Sequence, residues 1–377
     1  MRRTALFMVC GVMILGLTAC RLGNNSPDNS LYTDQMSVTE GNEKETIEIV
    51  PGQSAELFPA SYTGGSELVK FDCPLEIPGA FDPQNFHVPK IMGMKYLDSD
   101  MTYENFVEGK EVTDTYHYPS EESDVPDEDV YILSDESTVV ISGIDGLNYF
   151  NPEAGVYNQV MRATEKGASR DNFDFATGDS LVEQVTQALA DVSYPVNEFQ
   201  FSWFSLSGEE HKQLEQDALE NGMIEKENMQ GDWNGKDEYE IYAWQMYDNL
   251  PVFPQLMTTA ISRAFESYQK APVTAMVTRH GMQSLVAQLP YSFMETDEIV
   301  SFLPFSKIAA AVEDHYEKIL TEQTYIVNRA KLALRVYLDE KQDLQAEPIW
   351  YFEVSDNSGR VEVVLIQAET GKEIYLN

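Results

Sequence analysis

Hydrophobic positions along this chain fall into three patterns with different structural meanings. The first is an uncharged run from Thr4 to Cys20, apolar from Ala5 to Leu17, standing behind Arg2 and Arg3. A basic start, an apolar stretch and the small residues Thr18 and Ala19 are the parts of an export signal. The run sits at the short limit of the roughly 17–25 residues that a membrane-crossing helix needs. After it, from Arg21 to about residue 45, Asn, Ser, Asp, Gly and Thr dominate with scattered apolar residues. Such a composition cannot bury enough surface to fold and predicts a flexible tether.

The second pattern is short and extended. Pieces at 46–50, 67–77, 86–94, 130–133, 137–142 and 156–161 are punctuated by Gly and Pro and predict a β-rich region to about residue 168. Further strands are expected at 196–206, 238–247, 273–279 and 285–289, the last two joined at His280-Gly281. Residues 326–338 alternate most strictly. Ile326, Ala330, Leu332, Leu334, Val336 and Leu338 are assigned to one face, and Arg329, Lys331, Arg335 and Tyr337 to the other. Residues 349–355 and 360–368 complete a hairpin around Asp356-Asn357-Ser358-Gly359.

The third pattern is helical. Ser180-Leu181-Val182-Glu183 reads as a capping box, followed by Leu181, Val185, Ala188, Leu189 and Val192 on one face. Ser207-Gly208-Glu209-Glu210 reads as a second box, with Leu214, Ala218 and Leu219 following and Gly222 placed to end the helix. A third helix is expected over 255–269. A fourth, over 304–320, carries Phe305, Ile308, Ala309, Val312, Tyr316, Ile319 and Leu320 at helical spacing.

Together these predict an α+β protein of antiparallel sheets with helices packed on one face and two or three subdomains. The expected division is a signal at 1–19, a tether at 20–45, a β-rich domain at 46–168, an α+β domain at 169–300 and a helix-plus-sheet unit at 301–377. The length of 377 residues suffices for two or three cores, and 43% hydrophobic content excludes global disorder. Charge narrows the partners: the formal net charge is −38. Nucleic acid, whose binding rests on Lys and Arg neutralising phosphates, is an unsuitable partner, and so is an anionic bilayer surface. Acidity is densest from Asp98 to Asp129, with twelve acids against Lys110 alone, and residues 119–129 are expected to form a solvated loop. Of three cysteines, Cys10 leaves with the signal and Cys20 closes it, so Cys73 is alone and reads as a buried structural thiol.

Leu17-Thr18-Ala19-Cys20 resembles the lipobox of bacterial lipoproteins. The resemblance implies a diacylglycerol on the Cys20 sulfur, cleavage before it, and a mature protein held on the outer face of the cell membrane with no transmembrane helix. Two acyl chains hold a protein on a bilayer where one does not. The helix over 304–320, strand 326–338, the strand Pro348-Ile349-Trp350-Tyr351-Phe352, strand 361–368 and the ending Ala368-Glu369-Thr370-Gly371-Lys372-Glu373-Ile374 resemble a PepSY-type unit, related to the YycH and YycI type of extracytoplasmic regulators. Gln367 and Lys372 replace the usual Asp and Glu of the closing turn. In the preceding repeat, Asn249 stands for the glycine of a Gly-Leu-Pro-Val phrase. The resemblance extends to uncharacterised lipoproteins of Gram-positive bacteria and implies helices on an antiparallel sheet, used for binding or regulation outside the cell.

Chemical motifs are sparse. Ser267-Tyr268-Gln269-Lys270 and Ser355-Asp356-Asn357 match two motifs of penicillin-binding proteins and serine β-lactamases. The third motif, Lys-Thr-Gly, is answered only by Thr370-Gly371-Lys372 in the wrong order, and Ser267 falls at a helix end where the nucleophile needs the start. No catalytic residue and no resident cofactor is therefore expected. Asp171, Asp174 and Asp179 match no calcium-loop spacing, although an exported acidic protein leaves calcium open. His315 reads as a solvated residue on the polar side of its helix. The candidate partner-binding face is Arg329, Lys331, Arg335 and Tyr337, whose cations contrast with the acidic body and suit an acidic partner. The functional expectation is a lipid-anchored binding or regulatory module for a protein partner at the cell envelope. Its rivals are a cell-wall or peptide hydrolase and a solute-binding lipoprotein.

Overall fold

A computed structural model describes residues 57–123, 125–158, 167–254, 270–319 and 323–375. The expected signal, tether and helix over 255–269 lie outside the described residues. In chain order the elements begin with β1 (Ser61–Gly65), β2 (Val69–Glu76), β3 (Lys90–Met94) and α1 (Ser99–Phe106). The strands β4 (Val112–Tyr118), β5 (Glu128–Leu133), β6 (Thr138–Ser142) and β7 (Gly146–Phe150) follow, then α2 (Ala154–Tyr157) and α3 (Gly178–Ala190). Next come β8 (Phe199–Leu206), α4 (Gly208–Glu220), β9 (Glu238–Tyr247), β10 (Leu250–Pro254), β11 (Val273–Thr278), β12 (Gly281–Ala287) and β13 (Tyr291–Met294). The chain closes with α5 (Phe305–Glu317), β14 (Tyr325–Leu338), β15 (Leu344–Asp356), β16 (Val361–Gln367) and β17 (Glu373–Ile374).

Fifteen strands join one sheet in the order β17-β16-β15-β14-β10-β9-β11-β12-β7-β6-β5-β4, with β2 and β1 added at β14 and β8 added at β9. Pairing is antiparallel except where β2 and β10 meet β14 in parallel. The fold is thus α+β, a large and mainly antiparallel sheet with few helices and a β-rich N-terminal region. The β9–β10 hairpin turns on Asp248 and Asn249, at φ 46° and 65°. Two consecutive positive φ values are what a two-residue hairpin of matching twist requires, and they explain why Asn can stand in the glycine position.

The two largest cores among the described residues each pack a helix on a face of the sheet. The α5 residues Phe305, Ile308, Ala309, Val312 and Tyr316 are fully buried with Trp350, Phe352, Val327, Leu332 and the early strand β2. Phe305 and Trp350 meet edge to face at 4.8 Å between centroids. The α3 residues Leu181, Val185 and Leu189, with Val192 beyond, pack on Tyr239, Ile241, Ala275 and Leu285. Each buried Phe, Leu, Ile or Val among them contributes about 1.5–3 kcal/mol through burial.

Local starts and ends differ from expectation in three places. The first helix of the second half begins at Gly178, with Thr177 as N-cap and Ser180 as its third residue. Gly178 allows this because a Cβ there would lie 2.2 Å from the Trp203 ring. Residues 154–157 are helical rather than extended, since the Asn151 side chain accepts from Glu153 N–H and its carbonyl from Ala154 N–H. Residues 112–118, inside the acidic run, form a strand. The end of α4 is as expected: Gly222 takes φ 66°, and the Met223 and Gly222 amides bond back to Ala218 and Leu219.

Candidate functional site

The basic side chains of β14 do share one sheet face, and the structure supplies their partners. A bulge beside Val327 sets Arg329 opposite Glu353, and Arg335 opposite Glu347. The Arg329 guanidinium grips Glu76 of β2 with two bonds of 2.6 and 2.7 Å and lies 3.6 Å from Glu353. Arg335 reaches Glu347 at 2.5 Å and lies 4.3 Å over the Tyr337 ring, with only 8% of its surface exposed. Glu347 also accepts from Gln367 at 2.7 Å. Between the arginines, Ala333, Ile349, Tyr351, Leu365 and Phe253 form an apolar cluster. Lys331, between Glu76 of β2 and Tyr351 of β15 in register, is half-buried and also engaged. The face is an interleaved, partly buried ion-pair lattice. Cys20 lies outside the described residues.

A second constellation lies under α4. His211 and Glu215, one turn apart, face β9, whose Glu238 and Glu240 point to the same side. All four are sealed, at 0%, 2%, 2% and 3% exposure. The His211 ring stacks on Trp233 at 4.7 Å and meets Tyr157 edge to face at 5.4 Å. Its Nε2 is 3.1 Å from a Glu238 oxygen, out of line for a hydrogen bond with any described residue. Glu215 is well satisfied, accepting from Trp233 Nε1 at 3.0 Å and from the Gln230 and Gly231 amides. Burial raises the Glu238 and Glu240 carboxyls well above the usual carboxylate range, and Glu238 pushes Glu240 further in the same direction. It also pulls His211 down to about 4, against the opposing pull of Glu210 and Asp237. All three titratable groups are thereby driven to their neutral forms.

The remaining candidates hold structural positions. His315 is not simply solvated; its Nδ1 is 2.8 Å from Glu373 of β17, because the sheet edge folds under the helix face that periodicity marks as polar. Asp179 accepts from Trp203 Nε1, Asp174 pairs with Arg279, and Asp171 accepts from Ser169. Among the described residues no cluster of three or more His, Cys, Asp or Glu side chains could hold a metal ion. Cys73 is buried in β2, and burial pushes its thiol up to about 11. Asp356 organises its hairpin by accepting from Ser358 and Arg360, while Ser355 accepts from Asn328. Ser267 lies outside the described residues. A recess of about 320 Å³ beside α1 is lined by Phe106, Lys110, Tyr149, Asp191 and Met282, with the Lys110 ammonium 5.7 Å from the Tyr149 centroid.

No family model and no curated protein matches the chain. Solved structures do. An uncharacterized protein from Eubacterium rectale is similar at TM-score 0.55 and 14% identity, covering 83% of this chain and 92% of that one. The YpeB C-terminal domain of Bacillus megaterium matches at TM-score 0.31 and 9% identity, over 74% of this chain and 96% of that one. The first likeness establishes a shared fold and carries no activity with it.

The sealed cluster is not expected from the sequence. Glu238 and Glu240 alternate with Tyr239 and Ile241, a pattern that reads as a wet face opposite a dry one. A signal is present in α4, where His211, Leu214 and Ala218 recur at the spacing of a buried stripe. That stripe marks a second layer that covers the outer face of β9.

Proposed function

We propose that the chain is a lipoprotein, anchored through Cys20 to the outer face of the cell membrane, that binds or regulates a protein partner at the envelope without catalysis. The observation that carries this is Leu17-Thr18-Ala19-Cys20 closing an uncharged run behind two arginines. It is in keeping that no helix among the described residues is long and apolar enough to cross a membrane. Among the described residues, the acid and base groups gathered under α4 are buried, which is the setting of a structural cluster rather than of groups that meet a substrate. That supports binding rather than hydrolysis. Fractionation with labelled fatty acid is the test: the intact chain should carry label and sediment with membranes, and Cys20→Ala should lose the label and either become soluble or remain an uncut precursor. Unchanged labelling of Cys20→Ala would overturn the anchor.

A further inference from the structure

The sheet ends at β4, which pairs only with β5 among the described strands. Every residue from Thr113 to Tyr118 is exposed, including Tyr116 at 47% and Tyr118 at 53%. Which backbone groups this edge presents follows from two hydrogen bonds: Ser134 N–H donates to Glu111 of the β4 side, and Leu133 N–H donates to Ser137 of the β6 side. Alternate residues of a strand address opposite neighbours, so Ile132, Val130 and Glu128 turn their amides and carbonyls towards β4. Their register partners are Asp114, Tyr116 and Tyr118. Thr115 and His117 therefore direct their N–H and C=O groups outwards, along an edge that lacks a described strand partner.

Such an edge is a template for another strand, and its side chains determine which one. From Glu111 to Phe150 the chain contains no Lys or Arg, so the whole β4–β7 meander is acidic. Asp114, Tyr116 and Tyr118 alternate onto one face of the edge. On the other, the His117 ring is held by Asp129 at 2.9 Å and Asp127 at 3.4 Å. A second copy of the same edge would set two acidic meanders side by side with no Lys or Arg of their own between them, and is disfavoured by that like charge. An extended segment with a basic residue at every second position meets the opposite situation. Its guanidinium or ammonium groups reach Asp114 and the faces of Tyr116 and Tyr118, while its backbone completes the ladder.

We infer that β4 is a docking edge for a basic, extended polypeptide segment that adds as a further strand through the outward amides and carbonyls of Thr115 and His117. This rests on the reading of the protein as a partner-binding module, and it names the chemistry of the partner.

The test uses the full chain in detergent micelles and a fluorescent, end-blocked peptide of alternating Arg and Val. Anisotropy should show saturable binding at one peptide per chain, and hydrogen exchange should show new protection at the Thr115 and His117 amides. The same peptide methylated on every backbone nitrogen keeps its charges and loses its donors, and it should bind about tenfold or more weakly. Thr115→Pro, which removes one outward donor at an edge position that tolerates proline, should weaken the unmethylated peptide in the same sense. Equal binding of the methylated peptide would reduce the attraction to charge alone and overturn strand addition, as would absence of binding at millimolar peptide. Sedimentation showing dimers that are lost in Thr115→Pro would assign the edge to self-association instead. Each of these results leaves the Cys20→Ala fractionation untouched, so the edge and the anchor fail separately.

Discussion

Glu240 is buried beside a second buried carboxyl, and that neighbour decides how the protein responds to pH. Its folded pKa is raised by burial first and by Glu238 second. A raised carboxyl contributes stability that is fully present below the unfolded value of about 4.3 and lost as pH rises towards the folded value, at about 1.4 kcal/mol for each pH unit that separates the two. Glu240→Gln cannot ionise. Its melting temperature should therefore exceed that of the parent at pH 8, and the gap should shrink as calorimetry is repeated down to pH 4.5. A gap that stays constant or reverses with rising pH would mean that Glu240 is ionised and paired in the folded state. His211 acts in the other direction, because its lowered pKa removes stability as pH falls from about 6.5 through about 4. On β14, Arg329 and Glu76 are each partly exposed, so breaking their bidentate pair with Arg329→Met should cost only about 1 kcal/mol. A double-mutant cycle with Glu76→Gln measures it. Period-two spacing is enough to place Arg329, Lys331, Arg335 and Tyr337 on one face. That Glu76 supplies the counter-charge is not legible, since it arrives from 253 residues away.

Helices are legible as elements because a stripe repeated every three or four residues has one interpretation, whereas their first residues depend on contacts that the stripe does not contain. The helix α4 begins where Ser207 and Glu210 satisfy each other's amides, as the local sequence indicates. For α3 the same logic favours Ser180, but Trp203 and Asn172 make Gly178 the first helical residue and Thr177 the cap. Thr177→Ala should then cost about 1 kcal/mol, with Ser180→Ala costing less, in urea unfolding monitored by circular dichroism. A larger cost for Ser180→Ala than for Thr177→Ala would return the start to Ser180. At α4, Gly208 faces the Trp233 carbonyl, and an added Cβ would sit 2.0 Å from that oxygen. Gly208→Ala should move backbone in the layer that covers His211 and destabilise by about 1–3 kcal/mol. The strand β4 is not legible because its residues are nearly all exposed, so no dry face marks the alternation.

Strand partners are the least legible level, since β2 lies parallel to β14 and β10 joins the same strand further along, and both pairings link segments far apart in the chain. What the sequence does carry to the whole-molecule scale is charge. A net charge of −38 repels itself most where cations are scarcest; the β4–β7 meander has no Lys or Arg of its own, while β14 is laced to β2 and β15 by Arg–Glu pairs. At 0.01 M salt the screening length is about 30 Å and the acidic strands act on one another across the meander; at 0.15 M it is about 8 Å and they largely do not. Raising salt over that range should therefore raise the melting temperature, each kcal/mol of relief appearing as about 2–4 °C. The relief should also be local. Hydrogen exchange of β5 and β6 amides should slow with salt far more than exchange in β14 and β15. If both regions slow equally, salt is acting through general hydration, and if β14 and β15 lose protection, screening of the arginine pairs outweighs the repulsion between acids.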